Sequence, residues 1–284
     1  MIMYVLLLAV ILGCTAQNFF KKEFGRRNGN GGSLLFSGLI SLVSAIFFLV
    51  LSGFKLDIPV SLLPYSIAFA TVYSLATLFG YLALMCGPLS MSSIVGNFSM
   101  LVPILFGIIF KGEPVTLFFL IGFAFLVLSI LFINSGEGNV KISFKWAVLS
   151  VISLVANGFC SVVQSVQQEA FAGGYKNEMM TLALFISAIF FFVVSWIKER
   201  EEIKDAAKNG WLYASLAGAA NGAVNLFVMI LMGLMNISLI YPLISAGGIL
   251  CGILMAVIIY KERLSKKQYL VVLFGVISVV LMQL

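Results

Sequence analysis

Between Ser61 and Asn134 the only charged side chains are Lys111 and Glu113, set in the stretch FKGEPVT from Phe110 to Thr116. The stretch YKERLS, Tyr260 to Ser265, interrupts a second apolar region in the same way. A soluble surface cannot be covered from so little charge: soluble domains carry about 25% charged residues, whereas this chain has 10%, with 62% hydrophobic. A membrane-crossing helix needs about 20 mainly apolar residues to traverse about 30 Å of hydrocarbon. Splitting the chain at charge clusters and Gly/Pro punctuation leaves ten such runs, centred near Ala9, Val43, Val72, Leu101, Phe125, Leu154, Ser187, Ala223, Leu250 and Ile277. An all-α integral membrane protein with ten transmembrane helices, short connections and no soluble domain is expected.

The 17 basic residues outnumber the 11 acidic ones, but they sit in short clusters between apolar runs. Anionic lipid headgroups, not nucleic acid, are the expected partner of those clusters. Cys14, Cys86, Cys160 and Cys251 lie singly in separate apolar runs and the chain has no histidine, so they read as small apolar packers, with no metal site and no cofactor expected. The opening MIMYVLLLAVILGCTAQ resembles a signal sequence, yet it lacks a basic n-region and its apolar run continues to Phe20. It is read as the first span.

The halves of the chain repeat. QNFFKKEF (17 to 24) aligns with QSVQQEAF (164 to 171), LFGYLALMCGPLS (78 to 90) with LFVMILMGLMNIS (226 to 238), and Glu113 with Glu262, at separations of 147 to 149. Five spans is an odd number, so the second copy enters the membrane from the opposite side. Two inverted five-helix repeats, residues 1–138 and 139–284, are therefore expected, an arrangement common in secondary transporters. The pattern resembles the EamA-type drug/metabolite transporter superfamily, whose Gly-Glu, small hydroxyl and later glycine are matched by Gly112, Glu113, Thr116 and Gly122. In the second half Glu262, Ser265, Gln268 and Gly275 match, with Lys261 in place of the first glycine. The resemblance implies a transporter of small molecules and leaves the cargo open, because the superfamily moves amino acids, sugars, nucleotide sugars, amines and drugs.

Polar side chains in spanning helices usually face the bundle interior or a water-filled cavity. Ser153, Asn157, Ser161, Gln164 and Gln168 recur at steps of three and four, which places them on one helical face. The first span carries Gly13, Gln17 and Lys21 with Asn18 adjacent; the third has Tyr73, Thr77 and Tyr81; the fourth, Ser93, Asn97 and Pro103; the eighth, Asn221 and Asn225; the ninth, Tyr241, Pro242 and Ser245. From these, Gln17, Tyr81, Asn97, Asn157, Gln164, Asn221, Asn225 and Tyr241 are the candidate substrate-binding residues. The competing reading is that such groups only join helices by hydrogen bonds. Gly218/Gly222 and Gly248/Gly252 read as close-packing pairs, Glu113 and Glu262 as caps of the fifth and tenth spans with Pro114 just inside the fifth. Lys21, Glu23 and Glu169 read as snorkelling or capping residues, or alternatively as partners of a zwitterion at the cavity mouth.

No charged residue or histidine falls near the middle of a span, which argues against phosphorylated cargo and against cation/proton exchange through a buried carboxylate. HExxH and GxSxG are absent, so no catalytic residue and no enzyme activity is expected. The leading expectation is a secondary transporter of small polar neutral or zwitterionic metabolites, such as amino acids or related amines, in a bacterial cytoplasmic membrane. A broad drug exporter or a flippase of a lipid-linked substrate on the same fold is the alternative, and a non-transporting structural or sensory protein is the alternative of another class. Sequence assigns neither transport direction, coupling ion nor oligomeric state.

Fourteen of the 17 Lys and Arg residues fall in loops after odd-numbered spans, against Lys55, Lys111 and Lys176 on the other side. The positive-inside bias then places both termini outside the cytoplasm, although the family more often has both inside. A cysteine placed at Lys204, with native cysteines removed, should resist an impermeant thiol reagent in intact cells; labelling there would reverse the orientation.

Overall fold

The computed structural model describes residues 2–28, 31–86, 98–133, 143–258 and 266–282. Ser93, Asn97, Lys261, Glu262 and Ser265 lie outside the described residues. Within them the regular structure is helical: α1 (Ile2–Asn28), α2 (Ser33–Leu51), α3 (Leu63–Cys86), α4 (Leu101–Lys111), α5 (Leu117–Ile133), α6 (Phe144–Ala170), α7 (Lys176–Lys198), α8 (Ile203–Leu231), α9 (Ile237–Ile258) and α10 (Lys266–Leu281). Six of these are long and apolar enough to cross a membrane, namely α1, α2, α3 with the turn before it, α6, α7 and α8. The other four are shorter apolar helices. Leu8, Leu12, Val151, Ile189, Ile197 and Leu273 point outward, while Ser41, Ser44, Ser66, Ser129, Ser187 and Ser195 are buried. Apolar outside and polar inside is what a hydrocarbon solvent demands.

The most extensive packings all join the first five helices to the last five: α1 on α8, α3 on α6, α2 on α7 and on α8, α5 on α10. Moving each helix five places along turns α1–α8 into α6–α3, α2–α8 into α7–α3 and α1–α9 into α6–α4, all of which occur. Small residues set the approach distances. A Cβ on Gly218 would strike Val43 and the Ile40 carbonyl, and one on Gly222 would strike Phe47, so this pair seats α8 against α2 as expected. Gly248 and Gly252 differ from expectation: among the described residues nothing lies within 4 Å of where their Cβ atoms would be.

The stretch FKGEPVT resolves into three separate tasks. Gly112, with φ 64°, ends α4 in the left-handed conformation that glycine adopts without strain. Thr116, not Glu113, caps α5, its Oγ1 accepting from the Phe119 N–H at 3.0 Å. α5 begins only at Leu117, so Pro114 stands in the connection and Glu113 is too far upstream to serve that helix. The Glu113 carboxylate instead accepts from the Ile237 and Ser238 N–H groups at 2.9 and 2.8 Å, capping α9 in the other half of the chain. Gly107 makes room for it, because a Cβ there would meet the same carboxylate.

A second carboxylate does likewise at the other end of the bundle. α2 starts after Gly32 with no side-chain cap of its own. Glu199, only 3% exposed, accepts from the Leu34 and Leu35 N–H groups at 3.1 Å and from the Ser195 hydroxyl at 3.1 Å, and Glu202 accepts from the Gly32 N–H at 3.1 Å. Free N–H groups at a helix start carry partial positive charge and have no water to turn to inside the bundle, so an ionised acceptor is the strongest available partner. Glu199→Ala should lower unfolding stability in detergent by about 2 kcal/mol, while Ala at the exposed neighbour Glu201 should change it by less than about 0.5 kcal/mol. Equal unfolding midpoints for the two variants would refute this role for Glu199.

Candidate solute site

Leu7, Cys14 and Lys21 recur every seven residues and therefore share one side of α1. Along that side exposure rises from buried at Leu7, through intermediate at Cys14, to exposed at Lys21. The side that meets the core at one end of α1 thus opens at the other. Gln17 and Asn18 lie on the same side; Gln17 is 9% exposed, and neither makes a hydrogen bond among the described residues.

α9 presents the matching face. Tyr241, Ser245, Gly248 and Gly252 follow at steps of four, three and four, one stripe along the helix. The Tyr241 and Ser245 hydroxyls are both buried without a hydrogen-bond partner, and open space lies before Gly248 and Gly252 among the described residues. Cys14 is within electrostatic range of both Tyr241 and Lys21, and Ser161 of α6 is the polar group beside Tyr241. α1 and α9 touch where Ile11 meets Gly247. Beyond that contact they part around an apolar groove of about 400 Å³ lined by Leu12, Thr15, Ala16, Phe19, Cys251, Leu254 and Ile258. This groove is a cleft between α1 and α9 that opens toward the basic ends of α1 and α8, and its lining is apolar apart from Thr15, with none of Gln17, Asn18, Lys21, Tyr241 or Ser245 in it. At its other end it is stopped by Leu7, Val10, Ile11, Ile240 and Leu243.

Three more of the sequence-predicted residues come together, but around one another. The Gln164 amide donates to Asn225 Oδ1 at 2.8 Å. The Asn225 amide donates to the Asn221 carbonyl at 2.8 Å, and the Asn221 amide to Ser44 Oγ at 3.0 Å. Ser44 in turn donates to the Gly218 carbonyl at 2.8 Å. This chain of bonds crosses α6, α8 and α2, and its amides are already engaged. Asn157 is exposed and donates to Ser99 Oγ at 2.8 Å. Tyr81 sits apart, half-buried beside Glu199 and Glu202.

Sequence reasoning passed over Ser44, Glu199 and Glu202. Ser44 ends a series of serines, Ser33, Ser37, Ser41 and Ser44, at helical spacing but with short side chains that can bond back to their own helix, and the two glutamates are disguised in the charged run IKEREEIK. The one available signal was the start of α2, where GNGGS offers no conventional cap. The contrast between the two polar groups can be measured. Asn221→Leu should cost about 1 to 2 kcal/mol of stability, the upper part of the range for hydrogen bonds between membrane helices. Tyr241→Phe should shift the unfolding midpoint less than Asn221→Leu, since only the Ser161 hydroxyl stands beside the Tyr241 hydroxyl and no geometrically formed hydrogen bond is lost.

The EamA-like transporter family model matches residues 144–284. No curated protein matches the chain by sequence. Among solved structures, one crystal structure superposes with a TM-score of 0.78 at 14% identity, covering 98% of this chain and 94% of the other. At that identity the likeness is one of fold.

Proposed function

Since this chain belongs to the EamA-like transporter family, we propose that it is a secondary transporter that moves small polar neutral or zwitterionic solutes by alternating access between two inverted five-helix repeats, 1–138 and 139–284. It is a multi-pass integral membrane protein, and a bacterial cytoplasmic membrane is the setting we assign it. The observation that carries the proposal is the polar stripe of α9, where the Tyr241 and Ser245 hydroxyls are buried and unpartnered. Buried hydroxyls without partners carry a desolvation cost that a polar solute would relieve.

The exchange of helix pairings under a shift of five supports the repeat, as does the packing of ends. Met3, Pro114, Thr116, Asn236 and Met282 gather around one pocket, while Asn28, Gly32, Glu199 and Asn209 meet at the other end. This sorting is what ten alternating crossings produce. In such a scheme the cleft is the state open to the basic face. The apolar cluster around Leu7, Ile240 and Leu243, fastened by Glu113 on α9, is the closed gate. Passage to the other state would part that cluster and close α9 over the stripe of Asn18 and Lys21.

Within the scheme Gln17 and Tyr241 are the first contacts for a solute, Asn157 lies on an exposed face of α6, and Tyr81 stands near the mouth. The network of Gln164, Asn225 and Asn221 forms a wall. The apolar groove between α1 and α9 favours a second reading, in which a lipid-linked substrate keeps its acyl chain in the groove while its head group passes through the cleft. Thermal stabilisation of the purified protein by panels of amino acids, polyamines, sugars and lipids separates the two. Tyr241→Phe should weaken the stabilising ligand by about tenfold, the loss of one hydrogen bond worth about 1.4 kcal/mol. Stabilisation by long-chain lipids alone would select the flippase, and undiminished affinity in Tyr241→Phe would remove Tyr241 from the site.

A further inference from the structure

We propose that the apolar groove between α1 and α9 seats one acyl chain of a resident anionic phospholipid, whose head group rests on Lys22 and Arg26 and whose chain wedges the two halves apart on the basic face. The site follows from the groove itself; the wedge role rests on the alternating-access reading above.

Each wall of the groove is one helical face. On α1 it is Leu12, Thr15, Ala16 and Phe19; on α9 it is Cys251, Leu254 and Ile258, continuing the face that begins at Gly247. Ile11 against Gly247 is where the two helices touch, so the groove is the space left beyond that contact. Each wall runs for seven residues, about 10 Å of the about 15 Å of hydrocarbon in one leaflet. Leu12, Leu254 and Ile258 are exposed, so the groove faces the bilayer. Its one hydroxyl, that of Thr15, already donates to the Ile11 carbonyl at 2.8 Å. Such a lining cannot replace the water around a polar solute or a head group, whereas a methylene chain needs no polar partner.

Charge stands at the matching depth. Lys22 and Arg26 follow Thr15 and Phe19 by seven residues each, two turns further along the same face of the unbroken α1 helix, and both are exposed. They lie about 5 and 10 Å past Phe19 along the axis, where hydrocarbon gives way to head groups. Between Lys21 and Asn28 four basic residues stand against one acidic residue. Arg26 pairs with Glu23 through one guanidinium nitrogen at 3.0 Å and keeps its side chain 68% exposed, so the rest of its fork can donate to a phosphate oxygen. A basic surface at this level selects an anionic lipid over a zwitterionic one. The head group has no polar path through the groove, so the lipid stays in place and is not carried. Because α1 belongs to the first half and α9 to the second, closing one on the other must expel the chain. A lipid held by its head group therefore favours the state open on the basic face.

Two measurements test this. Full-length protein with Trp146, Trp196 and Trp211 replaced by phenylalanine carries Phe19→Trp as its single tryptophan. It is reconstituted in phosphatidylcholine vesicles containing dibrominated phosphatidylglycerol or dibrominated phosphatidylcholine, whose bromines quench a tryptophan they touch. Phosphatidylglycerol should bind beside Phe19→Trp on the order of tenfold more tightly than phosphatidylcholine. The preference should vanish in Lys22→Gln/Arg26→Gln and be absent at Ile189→Trp, on the outward face of α7. Equal quenching of Phe19→Trp by both lipids, or a preference that survives removal of the two cations, overturns the site. If the phenylalanine background does not fold, native mass spectrometry decides: the wild type should retain one more phosphatidylglycerol than Lys22→Gln/Arg26→Gln, and equal numbers overturn the site. For the wedge, Thr15→Cys is paired with the native Cys251, the other three cysteines being replaced by alanine, and oxidation by copper phenanthroline is followed in vesicles of each lipid. Disulfide formation should be about tenfold slower in phosphatidylglycerol than in phosphatidylcholine. Equal rates overturn the wedge while the site stands. No disulfide in either lipid removes the closing of α9 on α1, and the alternating-access reading with it, without touching the site. Protein-dependent passage of phosphatidylglycerol between leaflets makes the lipid cargo and overturns its resident role.

Discussion

The backbone N–H groups at a helix start are the constraint around which this bundle is arranged. In water they would be solvated; in the interior of a membrane protein each must find an acceptor. Here two carboxylates supply it across the divide between halves, Glu113 from the first half to α9 and Glu199 from the second half to α2. Each carboxylate is directed at the positive end of a helix dipole, so it holds position as well as hydrogen bonds. The two sit at opposite ends of the bundle and tie the same pair of halves. Close packing at Gly218, Gly222 and Gly107 follows from where those ties hold the helices.

Polar side chains divide into those that hold helices together and those left over. The bonds from Gln164 through Asn225 and Asn221 to Ser44 use their groups on one another and leave little for a solute. Tyr241 and Ser245 keep unpaired hydroxyls, and Gln17 and Asn18 make no hydrogen bond among the described residues. Hydrogen-bond satisfaction, more than polarity, marks the candidate site.

Periodicity revealed helices and their number because hydrocarbon thickness leaves few ways to place apolar runs, and the described helices contain all ten expected run centres, with Leu101 as the first residue of α4. The centre at Ala9 lies well inside α1 and that at Ile277 inside α10. Partnership was not legible. Glu113 was assigned to its adjacent helix, since sequence gives local neighbours and its true partner is 124 positions away. Gly248 and Gly252 had the same spacing as Gly218 and Gly222, but spacing alone cannot say whether another helix comes near. Asn221 and Tyr241 looked equivalent as polar residues in spans until their hydrogen bonds distinguished them.

The dominance of packing between halves has a consequence for biogenesis. Ribosomal synthesis delivers α1 to α5 to the bilayer before any of α6 to α10 exists, yet the broadest partners of α1, α2, α3 and α5 are α8, α7, α6 and α10. The early helices must wait in the membrane without those partners, with the start of α2 still lacking Glu199 and the Glu113 carboxylate still lacking α9. Assembly into a bundle is then a late event, completed only when the last helix covers α5, and a ribosome that stalls in the second half leaves a membrane-inserted intermediate with its adhesive faces uncovered.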